Sequence, residues 1–481
     1  MTLHHARPQV DLGADAQAHP DANELGDSAF RVLILGDFGG ASARRQPLAQ
    51  RVLHRIDRDG IDAALAAIAP RMAFAIDDDA PEIVAFGELD DFHPDRLLAN
   101  VPMLARLREL RTTIESRPEL ARSQSRRMTT ADESDTRSLL DRMLDAEPPL
   151  PAGPSPAPPQ SGDELSDFVR RAVRPHVARE VDPQQRAVVA QVDEVLGATL
   201  RVLLHDPAFQ ALESIWRAAD VFLRRCDAGE STQIGVLDLA RTELAALGAD
   251  AAATAELTQR LSTGADGSWS VVIAAYEFSP ADIELLSAIA TVAQATQVPW
   301  IAAADARLIG APTFADNGDA DDWEHATIPG WDELRRAPAA RYLGLALPRF
   351  LVRLPYGAQN PVESMTFEEL LPGTRAHESF LWGNGAFLCA LVGSIPVERG
   401  KIAPTHGTIG GLPLHLDASR GATEGLPCAE VVLSQRTMMH ILGRGLTPLA
   451  SERDGDVIRI PRLQSIAEPP AALPIRPAVR D

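Results

Sequence analysis

A proline-rich segment divides this 481-residue chain and places the strongest limit on how it can fold. Seven of the twelve residues from Pro148 to Pro159 are proline. Proline lacks a backbone N–H and has a restricted φ angle, so this segment cannot lie inside a helix or a sheet, and it acts as a semi-rigid spacer. The sequence therefore predicts a separate folded part on each side of the spacer.

The hydrophobic pattern on both sides of the spacer predicts an α/β protein. Before the spacer, short apolar runs flank a helical pattern at residues 61–68, which indicates a small α/β domain. After it, strands alternate with helices between residues 234 and 304, and strands joined through helices pair in parallel. We therefore predict a larger α/β domain with a mainly parallel sheet flanked by helices. The predicted divisions are a flexible N-terminal arm at 1–29, the small domain at 30–115, a polar and proline-rich linker at 116–160, the larger domain at 161–470 and a C-terminal tail at 471–481.

Finer predictions concern single elements. Apolar residues recur at helical spacing from about Pro94 to Arg111 and over residues 242–261, so each stretch is predicted to form one helix. The dipeptide Asp454-Gly455 lies between apolar runs at residues 446–449 and 457–460 and is typical of a hairpin turn. The S-x-x-E pattern at residues 161–164 and the Ser279-Pro-Ala-Asp sequence each predict the start of a helix.

Composition excludes several classes of function. With 46 basic and 67 acidic residues the formal net charge is −21, which opposes binding to nucleic acid or to an anionic membrane surface. The chain has one lysine, Lys401, and Ile402 follows it. A phosphate-binding loop needs lysine followed by serine or threonine, so that motif is absent.

The cysteines indicate a reducing compartment. Cys226, Cys389 and Cys428 are widely spaced and lie in or beside apolar runs, which is not the pattern of a disulfide scaffold. No apolar stretch has the length of a signal peptide core or of a membrane span. We expect a cytoplasmic protein.

The stretch ELDDFHPDRLL at residues 88–98 is the best candidate for a metal site. It places four carboxylates and a histidine within eight positions, but ligands so close in sequence rarely all reach one ion. The other interpretation is the start of a helix. Asp91 or His93 would cap it, Pro94 would occupy its first turn, and Asp95 would lie near the positive end of the helix dipole.

An enzyme would use the carboxylates at residues 88–95 or the pair Tyr276 and Glu277. Tyr276 and Glu277 end a predicted parallel strand, at the edge of the sheet where α/β enzymes place catalytic groups. The sequence shows no convergent base or nucleophile and none of the common hydrolase, metalloprotease or redox motifs. A structural role for the pair is the stronger interpretation, and no cofactor or metal is predicted.

Arginines interrupt the apolar run RYLGLALPRFLVRLPYG at residues 341–357. Buried or interfacial arginines need carboxylate partners, which an acidic chain can supply. Two interpretations remain: a packing or interface segment, and a core segment with exposed arginine tips. The candidate structural or interface residues here and further along the chain are Arg341, Arg349, Arg353, Tyr356 and Trp382.

The larger part resembles the large subunit of the type VI secretion contractile sheath, which is TssC-like. The resemblance covers about two thirds of the chain and follows the family's order. The stretches that carry it are LLHDPAFQALESIWRAADVFL (203–223), AAYEFSPADIELLSAIATVAQATQVPWIAAADARLIG (274–310), RYLGLALPRFLVRLPYG (341–357), FLWGNGAFLCALV (380–392) and RGLTPLASERDGDVIRIPRLQS (444–465).

The smaller part resembles the small subunit of the same sheath, which is TssB-like. The recognisable pattern ends near Arg111 and covers about a sixth of the chain. It consists of RVLILGDFGG (31–40), IDRDGIDAALAAIAPRMAF (56–74) and ELDDFHPDRLLANVPMLARLRELR (88–111).

These resemblances imply a structural, assembling protein and not an enzyme. In the family the two subunits are separate chains that interlock, stack as rings around an inner tube and contract to expel it, and terminal strands exchanged between protomers join the sheath. The implied partners are other sheath subunits, inner tube and baseplate proteins, and an ATPase that recycles the sheath. Two alternatives remain: an accessory paralogue that caps or nucleates a sheath, and a cytoplasmic α/β enzyme.

Overall fold

Strand β1 has the sequence FRVLILG, an almost uninterrupted apolar run that is typical of a strand buried on both faces. In the computed structural model it lies inside a seven-stranded sheet of order β15-β8-β7-β6-β1-β5-β2. The strands are β1 (Phe30–Gly36), β2 (His54–Ile56), β3 (Arg71–Phe74), β4 (Glu82–Ala85), β5 (Thr232–Asp238), β6 (Val271–Phe278), β7 (Trp300–Ala304), β8 (Leu343–Leu347), β9 (Phe350–Leu351), β10 (Trp382–Gly383), β11 (Val397–Glu398), β12 (Gly407–Ile409), β13 (His415–Leu416), β14 (Gly425–Leu426), β15 (Thr447–Pro448), β16 (Ala450–Ser451), β17 (Ile458–Ile460) and β18 (Val479–Arg480).

The helices lie between these strands along the chain. Those in the described residues are α1 (Ile61–Ile68), α2 (Pro94–Asn100), α3 (Pro102–Ser116), α4 (Pro183–Leu204), α5 (Pro207–Arg225), α6 (Arg241–Ala245), α7 (Ala251–Ser262), α8 (Ile283–Thr296), α9 (Trp331–Arg336), α10 (Ala376–Ser379), α11 (Ala386–Gly393) and α12 (Gln435–Gly443). None of them combines the length and the apolar character that crossing a bilayer requires.

The structure describes part of the chain: residues 29–40, 46–57, 59–74, 81–117, 183–226, 232–248, 250–262, 268–315, 323, 327–371, 376–398, 401–416 and 425–480. The predicted arm at 1–29 and linker at 116–160 lie almost wholly outside these residues, and so does the predicted helix start at 161–164. Two units can be distinguished, one made of residues 1–74, 83–93 and 203–481 and the other of residues 75–82 and 94–202.

The seven-stranded sheet belongs to the first unit, and all its pairings are parallel except that of β2 with β5. Helix α11 packs on β6 and β7, and α8 contacts β8. Every residue of α11 is buried, as expected for a helix that is apolar on all sides. The predicted α/β class, with a mainly parallel sheet flanked by helices, is confirmed.

Strand β1 occupies an interior position of this sheet. It pairs with β5 from Phe30 opposite Thr232 to Gly36 opposite Asp238, and its other edge pairs with β6. The end of β1 lies close to α5, since a Cβ atom at Gly36 would be 2.3 Å from Ile215 Cδ1 and a larger residue would force that side chain to move. The chain before the spacer therefore supplies an inner strand to a sheet whose other strands, except β2, come from after the spacer.

The second unit contains α2, α3 and most of α4. Arg111 on α3 donates from Nε to Asp193 Oδ1 on α4 at 2.5 Å. Gln185 donates from Nε2 to the carbonyl oxygens of Ile114 and Glu115 at the end of α3. Glu82 Oε2 accepts from the Met103 backbone N–H in the first turn of α3 at 3.1 Å, where a negative charge is favourable.

Three finer predictions are wrong in detail, and one is confirmed. The helix expected from Pro94 to Arg111 is interrupted at Val101, which is extended because Pro102 follows it. The helix expected over residues 242–261 is broken near Gly248, consistent with the low helix propensity of glycine. The first strand of the predicted hairpin is β16, whereas Thr447 and Pro448 pair with β8. Ser279 does cap a helical turn, as predicted.

The interior position of β1 predicts that a change in this strand destabilises the whole first unit. Ile34 is fully buried in β1, whereas Ile83 in β4 is 65% exposed. We expect Ile34→Ala to lower the free energy of unfolding by about 2–5 kcal/mol and Ile83→Ala to change it by less than about 0.5 kcal/mol. Urea titration followed by tryptophan fluorescence measures both, since Trp216 and Trp300 are buried in this unit. Equal unfolding midpoints for the two variants would contradict this role of β1.

Candidate functional site

Two of the sequence candidates, Arg353 and Tyr356, belong to a buried charge network in the first unit. Helix α5 carries Glu213, and the segment after β9 carries Arg353 and Glu369. The side chains of both glutamates are fully buried, and that of Arg353 is 7% exposed. Arg353 Nε lies 2.8 Å from Glu213 Oε1, and its Nη1 lies 2.8 Å from Glu369 Oε2. Its Nη2 reaches the second oxygen of each carboxylate, so one guanidinium binds two carboxylates bidentately.

A second arginine balances the charge of this network. Arg217, one turn after Glu213 on α5, donates from Nε to Glu213 Oε1 at 2.6 Å. Two arginines and two glutamates thus form a formally neutral set, which reduces the cost of removing the charges from water. Burial alone raises the pKa of Glu369, but Arg353 and His205 outweigh it and hold that pKa below its usual value. The carboxylate therefore stays ionised in the interior.

Tyr356 joins the network to the stretch at residues 88–93. Its backbone N–H donates to Glu369 Oε2 at 2.7 Å, and its hydroxyl accepts from Arg217 Nη2 at 3.3 Å. The Arg353 guanidinium lies 4.4 Å from the centroid of the Tyr356 ring, within cation–π range. His93 contacts the same ring edge-to-face at 5.0 Å. Burial raises the pKa of Tyr356 to about 12, more than the nearby arginines lower it, so its hydroxyl stays protonated.

The 88–98 stretch, proposed from sequence as a metal site or a helix start, is anchored by its backbone and its aromatic residue. Asp91 Oδ2 accepts from the backbone N–H groups of Gly87 and Glu88 at 2.7 and 3.1 Å, in a capping box of a 3-10 helix at Leu89–Phe92. Phe92 is fully buried and stacks on Phe86 with ring centroids 4.4 Å apart. Pro94 is buried and begins α2.

Asp90 and His93 line a cleft of about 400 Å³ together with Arg217, Arg353 and Tyr356. Within the described residues, no group of three or more histidine, cysteine, aspartate or glutamate side chains is placed to hold a metal ion.

A larger cleft, of about 690 Å³, lies at the carboxyl ends of β6 and β7 and contains Glu277, Arg349 and Trp382. Arg349 donates from its backbone N–H, Nε and Nη2 to Glu430, with distances of 2.6 to 3.0 Å. His377 Nε2 lies 3.2 Å from the same carboxylate. Burial would raise the pKa of Glu430, but these partners lower it to about 2.

The remaining candidates, Trp382, Arg341 and Tyr276, each make a defined contact. The Trp382 indole donates to the His377 carbonyl oxygen at 2.8 Å, and its own carbonyl accepts from Ser214 on α5. Arg341 is exposed and its guanidinium lies 5.3 Å from the centroid of the Tyr342 ring. The Tyr276 hydroxyl donates to the Leu239 carbonyl oxygen at 2.6 Å. Burial raises the pKa of Tyr276 above its usual value, so this group is unsuited to act as a base.

The Glu277 side chain is exposed to solvent inside the cleft of about 690 Å³. The protein around it raises the pKa of its carboxyl above the usual value by desolvation, although Arg349 opposes this effect.

Glu213 is not among the candidates taken from the sequence, although its place on an apolar helix face indicates a buried charge. Glu213 follows Leu212 and lies one turn from Phe209 and Trp216, so it sits on the apolar face of α5. A carboxylate on such a face must find an arginine or lose its charge. Glu369 and Glu430 gave no comparable signal, because their segments show no regular period.

Comparison with known proteins agrees with these observations. Residues 186–467, more than half of the chain, match the family described as EvpB/VC_A0108, tail sheath N-terminal domain. The chain therefore belongs to this tail sheath family. Residues 6–131 match the family described as type VI secretion system, VipA, VC_A0107 or Hcp2. This match extends beyond Arg111, where the pattern recognisable in the sequence ends. The resemblance of the two parts to the two sheath subunits is confirmed.

A curated relative extends the comparison to a single protein. Type VI secretion system sheath protein TssC1 of Pseudomonas aeruginosa is 29% identical over 308 residues. The alignment covers 59% of this chain and 61% of that relative, so the chain spans less than two thirds of the relative's length.

Replacement of Arg353 tests the charge network. We expect Arg353→Met to lower the free energy of unfolding by about 3–5 kcal/mol, because the buried Glu369 loses its arginine and Glu213 keeps only Arg217. Arg341→Met, at an exposed position in the same block, should change it by less than about 0.5 kcal/mol. Chemical denaturation at neutral pH compares the two. Equal stability of the two variants would mean that the network contributes little.

The depressed pKa of Glu430 predicts a defined pH dependence. A carboxyl whose folded pKa lies below its unfolded value, about 4.3, stabilises the fold above that value and loses this effect as pH falls. We expect the stability advantage of the natural protein over Glu430→Gln to be full at pH 6 and to vanish as pH falls from about 4.3 to about 2. Urea titrations over this pH range measure the difference. A constant difference would contradict the assignment.

Proposed function

We propose that this chain is a structural component of a type VI secretion contractile sheath, with the small-subunit-like and large-subunit-like parts on one chain. The observation that carries the proposal is the position of β1. This strand lies in the region that matches the VipA model, and it pairs between β5 and β6 of the region that matches the tail sheath model. Both parts thus contribute to one sheet, as in an interlocked protomer.

The proposed role is assembly around an inner tube and not catalysis. The buried charged side chains of the network pair with one another, as Arg353 does with Glu213 and Glu369. Such pairing favours a rigid scaffold. The proposed partners are other sheath subunits, with inner tube proteins, baseplate proteins and a recycling ATPase as further partners. The proposed location is the cytoplasm. The net charge of −21 supports the absence of nucleic acid and membrane partners.

Electron microscopy tests the proposal directly. We expect the purified chain, alone or mixed with other sheath proteins, to form or join rings or tubes. Particles found only at tube ends would favour an accessory protein that caps or nucleates the sheath. Monomers at all concentrations, with no incorporation into any sheath, would contradict both roles.

Removal of the chain ends tests whether terminal strands are exchanged. Strand β18 pairs in parallel with β11 in this chain. Deleting residues 479–481 removes this strand but keeps the buried Leu473 and Ile475, so the fold should persist. We expect this deletion, and deletion of residues 1–29, each to reduce polymer length in electron micrographs without changing the thermal midpoint. Polymers of unchanged length from both variants would show that these ends do not join protomers.

A further inference from the structure

A groove with a basic lining lies in the first unit of this acidic chain. We define the proline groove as the cleft of about 750 Å³ bordered by residues 335–341, 401–405 and 467–477. Most of its lining is alanine, proline, leucine or isoleucine, and its charged lining residues are Arg335, Arg336, Arg341, Lys401, Arg476 and Glu468. Five cations against one carboxylate is the reverse of the chain's overall balance of 46 basic to 67 acidic residues.

One wall of the proline groove is held rigidly. Pro469, Pro474 and Pro477 line it and restrict its backbone. Leu473 is buried and packs so closely on β8 that a Cβ atom at Gly344 would lie 2.6 Å from Leu473 Cδ1. The backbone N–H of Ser465 donates to the Ala471 carbonyl oxygen at 2.8 Å. A partner would meet a preformed surface, which lowers the entropy cost of binding.

The cations of the proline groove divide into two sets. Arg335 donates to the Ile466 carbonyl oxygen, and Arg476 donates to that of Trp269, so these two serve the fold. Arg336, Arg341 and Lys401 are exposed, and no carboxylate among the described residues lies within salt-bridge distance of them. These three positive charges are therefore available to a partner.

We propose that the proline groove binds the acidic surface of a second copy of this chain. A second copy carries 67 acidic against 46 basic residues, so it has an excess of carboxylates that can pair with the three unpaired cations, and opposite potentials attract and orient two surfaces. Burial of the apolar lining by a partner would add a favourable hydrophobic contribution to binding. Ile402 at the edge of the groove is 40% exposed and would be covered by that partner. The inference rests on the proposed sheath function and names a surface for it.

The contact joins different surfaces of two identical chains. Such a heterologous contact generates a ring when the rotation closes and a helical filament when it does not. A groove on one copy that receives the acidic face of the next meets this requirement, because it leaves the second copy's own groove open. The polar rim also makes the contact sensitive to salt.

Charge reversal in the full-length chain tests the proposal. The variant R336E/R341E/K401E reverses the three unpaired cations. The control R71E/R453E/R459E makes the same change in net charge at exposed arginines outside the groove. Sedimentation velocity over a concentration series, at low and high NaCl, measures self-association. Circular dichroism and the thermal midpoint establish that each variant is folded, and R336Q/R341Q/K401Q provides a milder change.

We expect the natural chain and the control to self-associate, and salt to weaken that association. The groove reversal should weaken it by at least about ten-fold, because three rim contacts become repulsive, and the neutral variant should have a smaller effect. Association that survives the groove reversal would overturn the proposal and leave the sheath function standing. A natural chain that stays monomeric alone would overturn it as well. Failure to enter any sheath in electron micrographs would count separately against the proposed function.

Discussion

The first unit depends on one strand that is hydrogen-bonded on both edges. An interior strand must satisfy its backbone groups through its neighbours, because no water reaches them. Strand β1 does so with β5 along its whole length and with β6 through Val32 to Leu35. Without it these two strands would face each other across a gap. Residues 30–36, which precede the proline-rich spacer, are therefore a required part of the sheet.

The charge network stabilises the same unit by a different means. Hydrophobic contacts are non-directional, whereas a guanidinium between two carboxylates allows one arrangement of its neighbours. Arg353 thereby sets the position of α5, through Glu213, relative to the segment that carries Glu369 and Tyr356. His93 then packs on the Tyr356 ring. Residues distant in sequence therefore converge on this one arginine.

Local elements were predictable where a single pattern dominates. The helical spacing gave α1 at residues 61–68, and the apolar run gave β1, because periodicity reports which face of an element is buried. Errors arose where a local effect overrode the pattern, as at Pro102, which ends a helix that the apolar spacing would continue. The apolar pattern predicts that the first strand of the hairpin near Asp454 begins before β16. This is wrong because Thr447 and Pro448 pair with β8, a contact distant in sequence.

By itself, the sequence determined the α/β class, the two sheath-like parts and the spacer between them, and it predicted acidic partners for Arg349 and Arg353 if these side chains are buried or interfacial. The fold class and the spacer follow from composition and from patterns within about twenty residues, whereas the two sheath-like parts follow from resemblance to a known family. Only the tertiary structure decided that Glu213, Glu369 and Glu430 are those partners, and that β1 lies between β5 and β6. The reason is physical: a pairing between distant residues depends on how elements pack, and the local pattern records burial but not the neighbour that provides it.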